Sequence, residues 1–405
     1  MKVPQFSNHY ALLALFLSPW KDMGIIKALA DAIKQGEPDW KKLLYLANLH
    51  LCTPLWFVCL KKDGLISLLP QGLQTYLQHL HQANMERNEA FCEAIREIHT
   101  KLREHEIPAI LLKGAAALCD DLYGDLGARM MGDIDILVKP QHARLVQKLL
   151  SQLGYDELHN SFADHHLPRQ IKRGTPVAVE VHFQVANGQA GRIIPANLSW
   201  EQREIKTWEF LTLSVLKPTY RLIHNTVHAL VPHRTFIESR IYLHHLAEFN
   251  NLSRRYGREI DWREWLKGAS DQGLRKQFCV YLALAQRLMG MPIIDDVPKI
   301  SPARIHVARI SAAGNAMANF QSVNEKRPKT NVLKAKRIAE NILIKIHQRL
   351  SRPAWLWHNK FYKKGLKNFP DRFFCVSKLV VRQLILDCKS ILKNPSRLFS
   401  ETTRP

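Results

Sequence analysis

The spacing of apolar residues changes abruptly at residue 107, and this change limits the possible folds more than any other feature. Before it, apolar residues recur every three or four positions, as on amphipathic helices. After it, short apolar runs at 107–112 and 133–138 and an alternating run at 177–183 predict strands. Because helical segments separate these strands, we predict an α/β (α+β) core with a small mixed sheet.

Helical spacing flanks this core on both sides. We predict a helical N-terminal region over 1–105, the core over 106–215, a helical region packing on the core over 216–300, and a basic helical C-terminal extension over 301–405. Asp39 is suited to cap one N-terminal helix, Asn88 to start another, and Pro218 to begin the first helix after the sheet. The sequence Arg173-Gly174-Thr175-Pro176 predicts the turn of a hairpin.

Three acidic residues stand in the strand-like segments of the core. Asp133 and Asp135 are two residues apart, so their side chains project from the same face of a strand. Carboxylates that lose water beside each other repel, and a bound cation offsets that cost. Glu180 would complete a three-carboxylate set if its strand lies beside the Asp-Ile-Asp strand. Oxygen ligands of this kind favour Mg²⁺.

The end of the 107–112 strand carries a second pattern, which favours phosphate binding. Gly114 allows close approach of backbone N–H groups to an anion at the start of a helix, and Lys113 adds a positive charge. Arg129, four residues before Asp133, has a guanidinium that suits bidentate contact with phosphate. We predict that these three residues bind phosphate.

Each of these patterns also has an ordinary structural explanation. Pairs of aspartates one residue apart are common in loops, a Lys-Gly pair is common at turns, and Glu180 would suit a solvent-facing sheet edge. We expect His182 on the opposite face of its strand from Glu180, in a structural role. The order of the patterns within one α/β unit is what favours the chemical interpretation.

A histidine pair after the core offers another possible site. His224 and His228 are one helical turn apart, and His233 follows, a spacing compatible with zinc. Asn225 stands where the metalloprotease pattern has glutamate, which argues against that chemistry. His228 would instead touch substrate if this helix faces the active site.

The positive charge of the chain lies mainly near its C-terminus. Of 58 lysines and arginines, 20 fall in residues 325–405, together with only 5 of the 36 acidic residues. Such a segment suits an anionic partner, either nucleic acid or lipid, and tryptophans at 355 and 357 lie among its basic residues. The alternative is a solvated basic face whose aromatic residues pack on the body of the protein. The competing hypothesis is therefore a catalytically weak or silent protein that binds nucleic acid or membrane through this segment.

Cysteine usage and hydropathy indicate the compartment. The seven cysteines form no Cys-x-x-Cys pair, which argues against a disulfide framework and a zinc ribbon and favours a reducing environment. The apolar run near the N-terminus lacks a convincing cleavage site, and no run of 18 apolar residues predicts a transmembrane segment. We expect a cytoplasmic protein.

The core motifs together resemble those of the uncharacterised nucleotidyltransferase family within the polymerase-β-like superfamily. The resemblance covers roughly residues 35–295, including helical stretches on both sides of the core. It rests on Ile107-Pro108, Leu111-Leu112-Lys113-Gly114, Tyr123, Arg129, Gly132-Asp133-Ile134-Asp135 and Glu180-Val181-His182.

This resemblance implies an enzyme that uses Mg²⁺ (or Mn²⁺) to transfer a nucleoside monophosphate from an NTP to a hydroxyl acceptor, with release of pyrophosphate. The acceptor class, whether small molecule, protein or RNA, stays open. Asp133, Asp135 and Glu180 would be the catalytic metal ligands, with Glu180 also the base, and Lys113, Gly114 and Arg129 would bind the NTP. The sequence departs from the superfamily at Ala115, where serine is frequent, and in the 18 residues between Gly114 and Asp133.

Overall fold

One mixed sheet forms the centre of the computed structural model, which describes residues 4–158, 164–231, 236, 239, 241–298 and 303–325. Its seven strands are β1 (Ala109–Leu111), β2 (Ile134–Val138), β3 (Tyr155–Glu157), β4 (Gln170–Lys172), β5 (Ala178–His182), β6 (Arg203–Trp208) and β7 (Leu211–Leu216). The strand order is β3-β4-β5-β2-β1-β7-β6. β2 pairs antiparallel with β1 and parallel with β5, so the predicted mixed sheet is confirmed.

Fourteen α-helices are found in the described part of the chain. They are α1 (His9–Phe16), α2 (Met23–Lys34), α3 (Trp40–Leu49), α4 (Thr53–Lys62), α5 (Gln71–Glu104), α6 (Lys113–Cys119), α7 (Pro140–Gln152), α8 (Gly188–Ile193), α9 (Ala196–Glu201), α10 (Pro218–Leu230), α11 (Leu243–Tyr256), α12 (Trp262–Asp271), α13 (Arg275–Met289) and α14 (Ala303–Glu325), with a 3₁₀ turn at Ile66–Leu68. None of these helices has both the length and the apolar character needed to cross a membrane.

Local sequence explains several element boundaries. Asp39 caps α3 by accepting a hydrogen bond of 3.2 Å from the backbone N–H of Lys42, and Pro218 is the first residue of α10, both as predicted. Gly174 takes a positive φ of 74° in the turn between β4 and β5, a conformation that costs glycine little. These short-range features are the ones that a single sequence predicts well.

The prediction that Asn88 starts a helix was wrong, because α5 runs through that position without a break. Asn88 is buried, and its Nδ2 donates to the carbonyl oxygens of Leu126 (2.6 Å) and Arg129 (2.9 Å). Asn84, one turn earlier, donates to the carbonyl oxygens of Gly127 (2.7 Å) and Arg129 (3.0 Å). The two asparagines thus hold the loop that leads into β2.

The sheet has a different apolar cluster on each face. Ile134, Ile136 and Val138 of β2 belong to a cluster with buried residues of α5 and α7. Leu137 points to the opposite face and belongs to the larger cluster, which includes residues of α1–α4 and α10–α14. Because side chains alternate along a strand, Asp135 lies on the same face as Leu137, toward α10 and α11.

The last described helix, α14, packs against the N-terminal helices. Asn8 Nδ2 donates to Ser311 Oγ at 3.1 Å, and Asn315 Oδ1 accepts from the backbone N–H of His9 at 2.8 Å. The start of the segment that we assign to a C-terminal extension therefore packs on the body of the protein. Most of the basic segment, residues 326–405, lies outside the described residues, as does His233.

Replacing Asn88 with leucine is expected to destabilise the protein. The substitution leaves the carbonyl of Leu126 without the donor that it has here, and a buried polar group without its partner costs about 1–3 kcal/mol. Urea unfolding of Asn88→Leu should show this loss. Gln82→Leu, at an exposed position of the same helix, is the control and should stay within about 0.5 kcal/mol of the original protein. Equal stability of the two variants would contradict the role of Asn88 in holding the loop before β2.

Candidate active site

The parallel pairing of β2 with β5 brings the predicted carboxylates together. Asp135 is the direct register partner of Glu180, and residues opposite each other in neighbouring strands share a face of the sheet. Asp133 lies just before the first residue of β2, two positions from Asp135. Its carboxylate and that of Glu180 contact the same guanidinium, which belongs to Arg169. The three predicted carboxylates therefore converge at one edge of the central strands.

His182 belongs to this cluster, and our expectation that it lies on the opposite face of its strand from Glu180 was wrong. Residues two apart in a strand share a face, so His182 points the same way as Glu180. Its Nε2 lies 2.8 Å from Asp135 Oδ1 and 3.7 Å from Glu180 Oε2. The ligand atoms of Asp135, Glu180 and His182 all lie within 4.8 Å of one another, a grouping that can hold a metal ion.

Lys113 supplies a positive charge beside Asp135. Its Nζ donates to Asp135 Oδ1 at 2.8 Å, from the first residue of α6 directly after β1. The backbone φ of Lys113 is +46°, in the left-handed region that costs a residue with a side chain roughly 1–2 kcal/mol. The fold maintains this strained conformation at a residue that contacts the carboxylate cluster.

Arg169 is a site residue that the sequence analysis did not identify. It lies immediately before β4, and its Nε (2.8 Å) and Nη2 (2.6 Å) donate to Glu180 Oε1. Nη2 also donates to the carboxylate of Asp133. No local sequence pattern identifies this arginine. It reaches Glu180 because β4 pairs with β5, and it contacts Asp133, which is 36 positions away in the sequence.

The surroundings of the three carboxylates give them different acidities. Burial opposes ionisation of Asp135, but Lys113 and the hydrogen bond with His182 outweigh it and hold its pKa well below the usual value. For Glu180 the same opposition from burial is outweighed by His182 and Arg169, which lower its pKa to about 2. Burial and the charge of Asp135 raise the pKa of Asp133. Negative charge is therefore held most firmly on the paired residues of the two strands.

Arg129 does not contact the carboxylate cluster directly. Its Nε donates to Glu248 Oε2 of α11 at 2.8 Å, and both side chains are largely buried. Gly114 lies against this arginine: a Cβ added at position 114 would lie 2.6 Å from Arg129 Nη1 and 3.2 Å from Met131 Cβ. The absence of a side chain at Gly114 thus allows the guanidinium to lie beside the first turn of α6.

A cavity of about 40 Å³ lies between Lys113 and the helices after the sheet. Its walls include Arg129, Glu248, His224 and His228, so two of the three predicted phosphate-binding residues, Lys113 and Arg129, share one cavity with the histidine pair. Burial lowers the pKa of His224 to about 3 and that of His228 well below its usual value, with the charge of Lys113 adding to the effect. Both rings are therefore neutral at physiological pH, and they present hydrogen-bonding nitrogens rather than charge.

The donor set of the site fits a divalent cation. Asp135 and Glu180 offer carboxylate oxygens and His182 offers one imidazole nitrogen within a single group of ligand atoms. Asp133 lies outside that group and is linked to Glu180 through Arg169. Hard cations such as Mg²⁺ and Mn²⁺ prefer oxygen ligands, and Mn²⁺ also accepts imidazole. Within the described residues, the His224–His228 pair belongs to no comparable group of ligand atoms.

One comparison with known proteins identifies the family of this chain. Residues 36–290 match the family described as uncharacterised nucleotidyltransferase, and the chain belongs to that family. The match includes the whole sheet, α10 and α11, so it covers both the carboxylates and the cavity. The search of curated proteins and the search of solved structures each find no match.

Gly114→Ala provides a test of the packing around Arg129. Alanine is normally preferred over glycine in a helix by about 1 kcal/mol. Here the new methyl group displaces the guanidinium from Glu248, so we expect a net loss of about 1–3 kcal/mol in the free energy of unfolding. Gly132→Ala is the matched control, because an added Cβ there meets no atom within 4 Å. Stabilisation by Gly114→Ala would contradict the close packing.

Proposed function

We propose that this protein transfers a nucleoside monophosphate from an NTP to a hydroxyl acceptor, with Mg²⁺ (or Mn²⁺) as cofactor and pyrophosphate as the second product. The observation that carries the proposal is the register of β2 with β5, which pairs Asp135 with Glu180 and leaves Asp133 beside them. Membership of a nucleotidyltransferase family supports the same reaction class.

Asp133, Asp135 and Glu180 are the proposed ligands of the cation, with His182 beside them. When bound, Mg²⁺ would offset the charge of the triphosphate and favour ionisation of the acceptor hydroxyl. The residues of the chain fix where these groups meet. Lys113 orients Asp135 through the hydrogen bond to Oδ1, and its strained backbone keeps the amine close to the same carboxylate.

The acidity of Glu180 argues for one of its two suggested roles. A carboxylate with a pKa of about 2 accepts a proton poorly at neutral pH, because an effective base has a pKa near the working pH. We therefore propose Glu180 as a metal ligand rather than as the base.

Lys113, Gly114 and Arg129 remain the proposed NTP-binding residues. Lys113 and Arg129 line the same cavity. Gly114 follows Lys113 on α6 and lies against the guanidinium of Arg129. Their carboxylate partners, Asp135 and Glu248, hold the side chains of Lys113 and Arg129 in place before a nucleotide binds. The labelling experiment below distinguishes the three classes of acceptor, which are a small molecule, a protein side chain and an RNA end.

Transfer activity should depend on the paired aspartates. The purified protein is incubated with Mg²⁺ or Mn²⁺, each α-labelled NTP and cell lysate, and the label transferred to macromolecules or small molecules is measured. The Asp133→Ala/Asp135→Ala variant should lose at least about a hundredfold in rate, since it removes metal ligands. Asp156→Asn, on an exposed edge-strand residue of the same sheet, should keep the activity.

The identity of the labelled species reports the acceptor class. Label that appears with the double variant as strongly as with the original protein would refute the assignment of the aspartates. Absence of label with any NTP and either metal, from a protein that unfolds cooperatively, would refute nucleotidyl transfer.

A further inference from the structure

Arg169 lies between the carboxylates of Asp133 and Glu180. Two of its nitrogens donate to Glu180 Oε1, and one of these also donates to Asp133. The side chains of all three residues are at most 20% exposed, so water screens these contacts only weakly. Arg169 thus bridges two of the three carboxylates proposed to hold the metal.

Two positive residues, Lys113 and Arg169, face the negative charges of the three carboxylates. Asp135 Oδ1 accepts from both Lys113 and His182, whereas Asp133 and Glu180 share Arg169. The other oxygen of Glu180 faces imidazoles, with His182 Nε2 at 3.7 Å and His166 Nε2 at 3.8 Å. Arg169 is therefore the main counter-ion of Glu180 and Asp133, and without it these buried carboxylates would repel each other.

A divalent cation and a guanidinium compete for the same oxygens. A carboxylate lone pair that accepts an N–H bond is not available to a metal, and the positive charge of the arginine repels a cation at close range. Lys113 leaves the second oxygen of Asp135 open to a metal, whereas Arg169 contacts one oxygen each of Glu180 (Oε1) and Asp133 (Oδ2). A metal that binds between these two oxygens takes the place of the Arg169 guanidinium.

We propose that Arg169 is a positioning residue: it is the internal counter-ion of the carboxylate cluster, and a divalent cation displaces it from Asp133 and Glu180. This inference rests on the proposed function for the identity of the site. In the metal-free protein Arg169 keeps the carboxylates charged and close together. On metal binding its guanidinium is released beside the site, where phosphate is the anion that a fork of N–H donors fits.

The test measures Mn²⁺ binding to the whole 405-residue chain without nucleotide or acceptor. The readout is the electron paramagnetic resonance signal of free Mn²⁺. Arg169→Gln removes the competing charge, and we expect it to bind Mn²⁺ about tenfold more tightly than the original protein, which corresponds to 1.4 kcal/mol. Arg173→Gln is the matched control on the same hairpin, since Arg173 is exposed and pairs with Asp156. It should leave the Mn²⁺ affinity unchanged within about twofold.

Thermal unfolding of the same proteins provides a second measurement. Arg169→Gln should melt at a lower temperature than the original protein without metal, and it should gain more in melting temperature on addition of Mn²⁺. Arg169→Lys, which keeps the charge but lacks the fork, should have an intermediate Mn²⁺ affinity and is informative if Arg169→Gln does not fold.

Equal or weaker Mn²⁺ binding by both Arg169 variants would overturn the inference and would assign Arg169 a supporting role in metal binding. That result leaves nucleotidyl transfer by the original protein untouched. Conversely, tighter Mn²⁺ binding by Arg169→Gln without any transfer activity of the original protein would uphold the inference and refute the proposed function. Absence of Mn²⁺ binding in every variant would refute the metal site itself.

Discussion

The parallel register of β2 against β5 is the constraint on which the rest of the site depends. It places Asp135 and Glu180 side by side in the middle of the sheet, where neither carboxylate is well solvated. Carboxylates in such a position stay ionised only if positive charge or hydrogen-bond donors face them. Lys113 after β1, His182 on β5 and Arg169 before β4 meet this need from three strand ends. The core of the fold is thus arranged around a compensated group of negative charges.

The sequence predicted the elements of the core because their determinants are local. Asp133 and Asp135 follow from strand periodicity, and the turn at Gly174 follows from turn chemistry. The partners of these elements come from distant parts of the chain, and no single-sequence pattern identifies them. Arg169 and the asparagine pair Asn84 and Asn88 were missed for this reason. His182 was a different error, because strand alternation already placed it on the face of Glu180.

The helices after the sheet contribute residues to the cavity beside the carboxylates as well as to the apolar core. Arg129 comes from the core, but its partner Glu248 belongs to α11, and His224 on α10 completes the same cavity. An ion pair buried between two regions is costly to break, since one partner left alone retains its charge in a poorly solvated place. The core and the helical region are therefore expected to fold and function as one unit. The family match, which extends from residue 36 to residue 290, covers both parts.

Buried charges in this number argue for function rather than for stability. Hydrophobic residues of similar volume frequently stabilise a protein as much as a buried ion pair does or more, because removing charged groups from water is unfavourable. The protein nevertheless has Asp133, Asp135, Glu180, Lys113 and Arg169 together at the edge of its central strands, and one of them lies in a strained backbone conformation. Packing gains nothing from this arrangement. A cation and a polyphosphate would gain from it, because the carboxylates supply oxygen ligands and the neighbouring cations balance the phosphate charge.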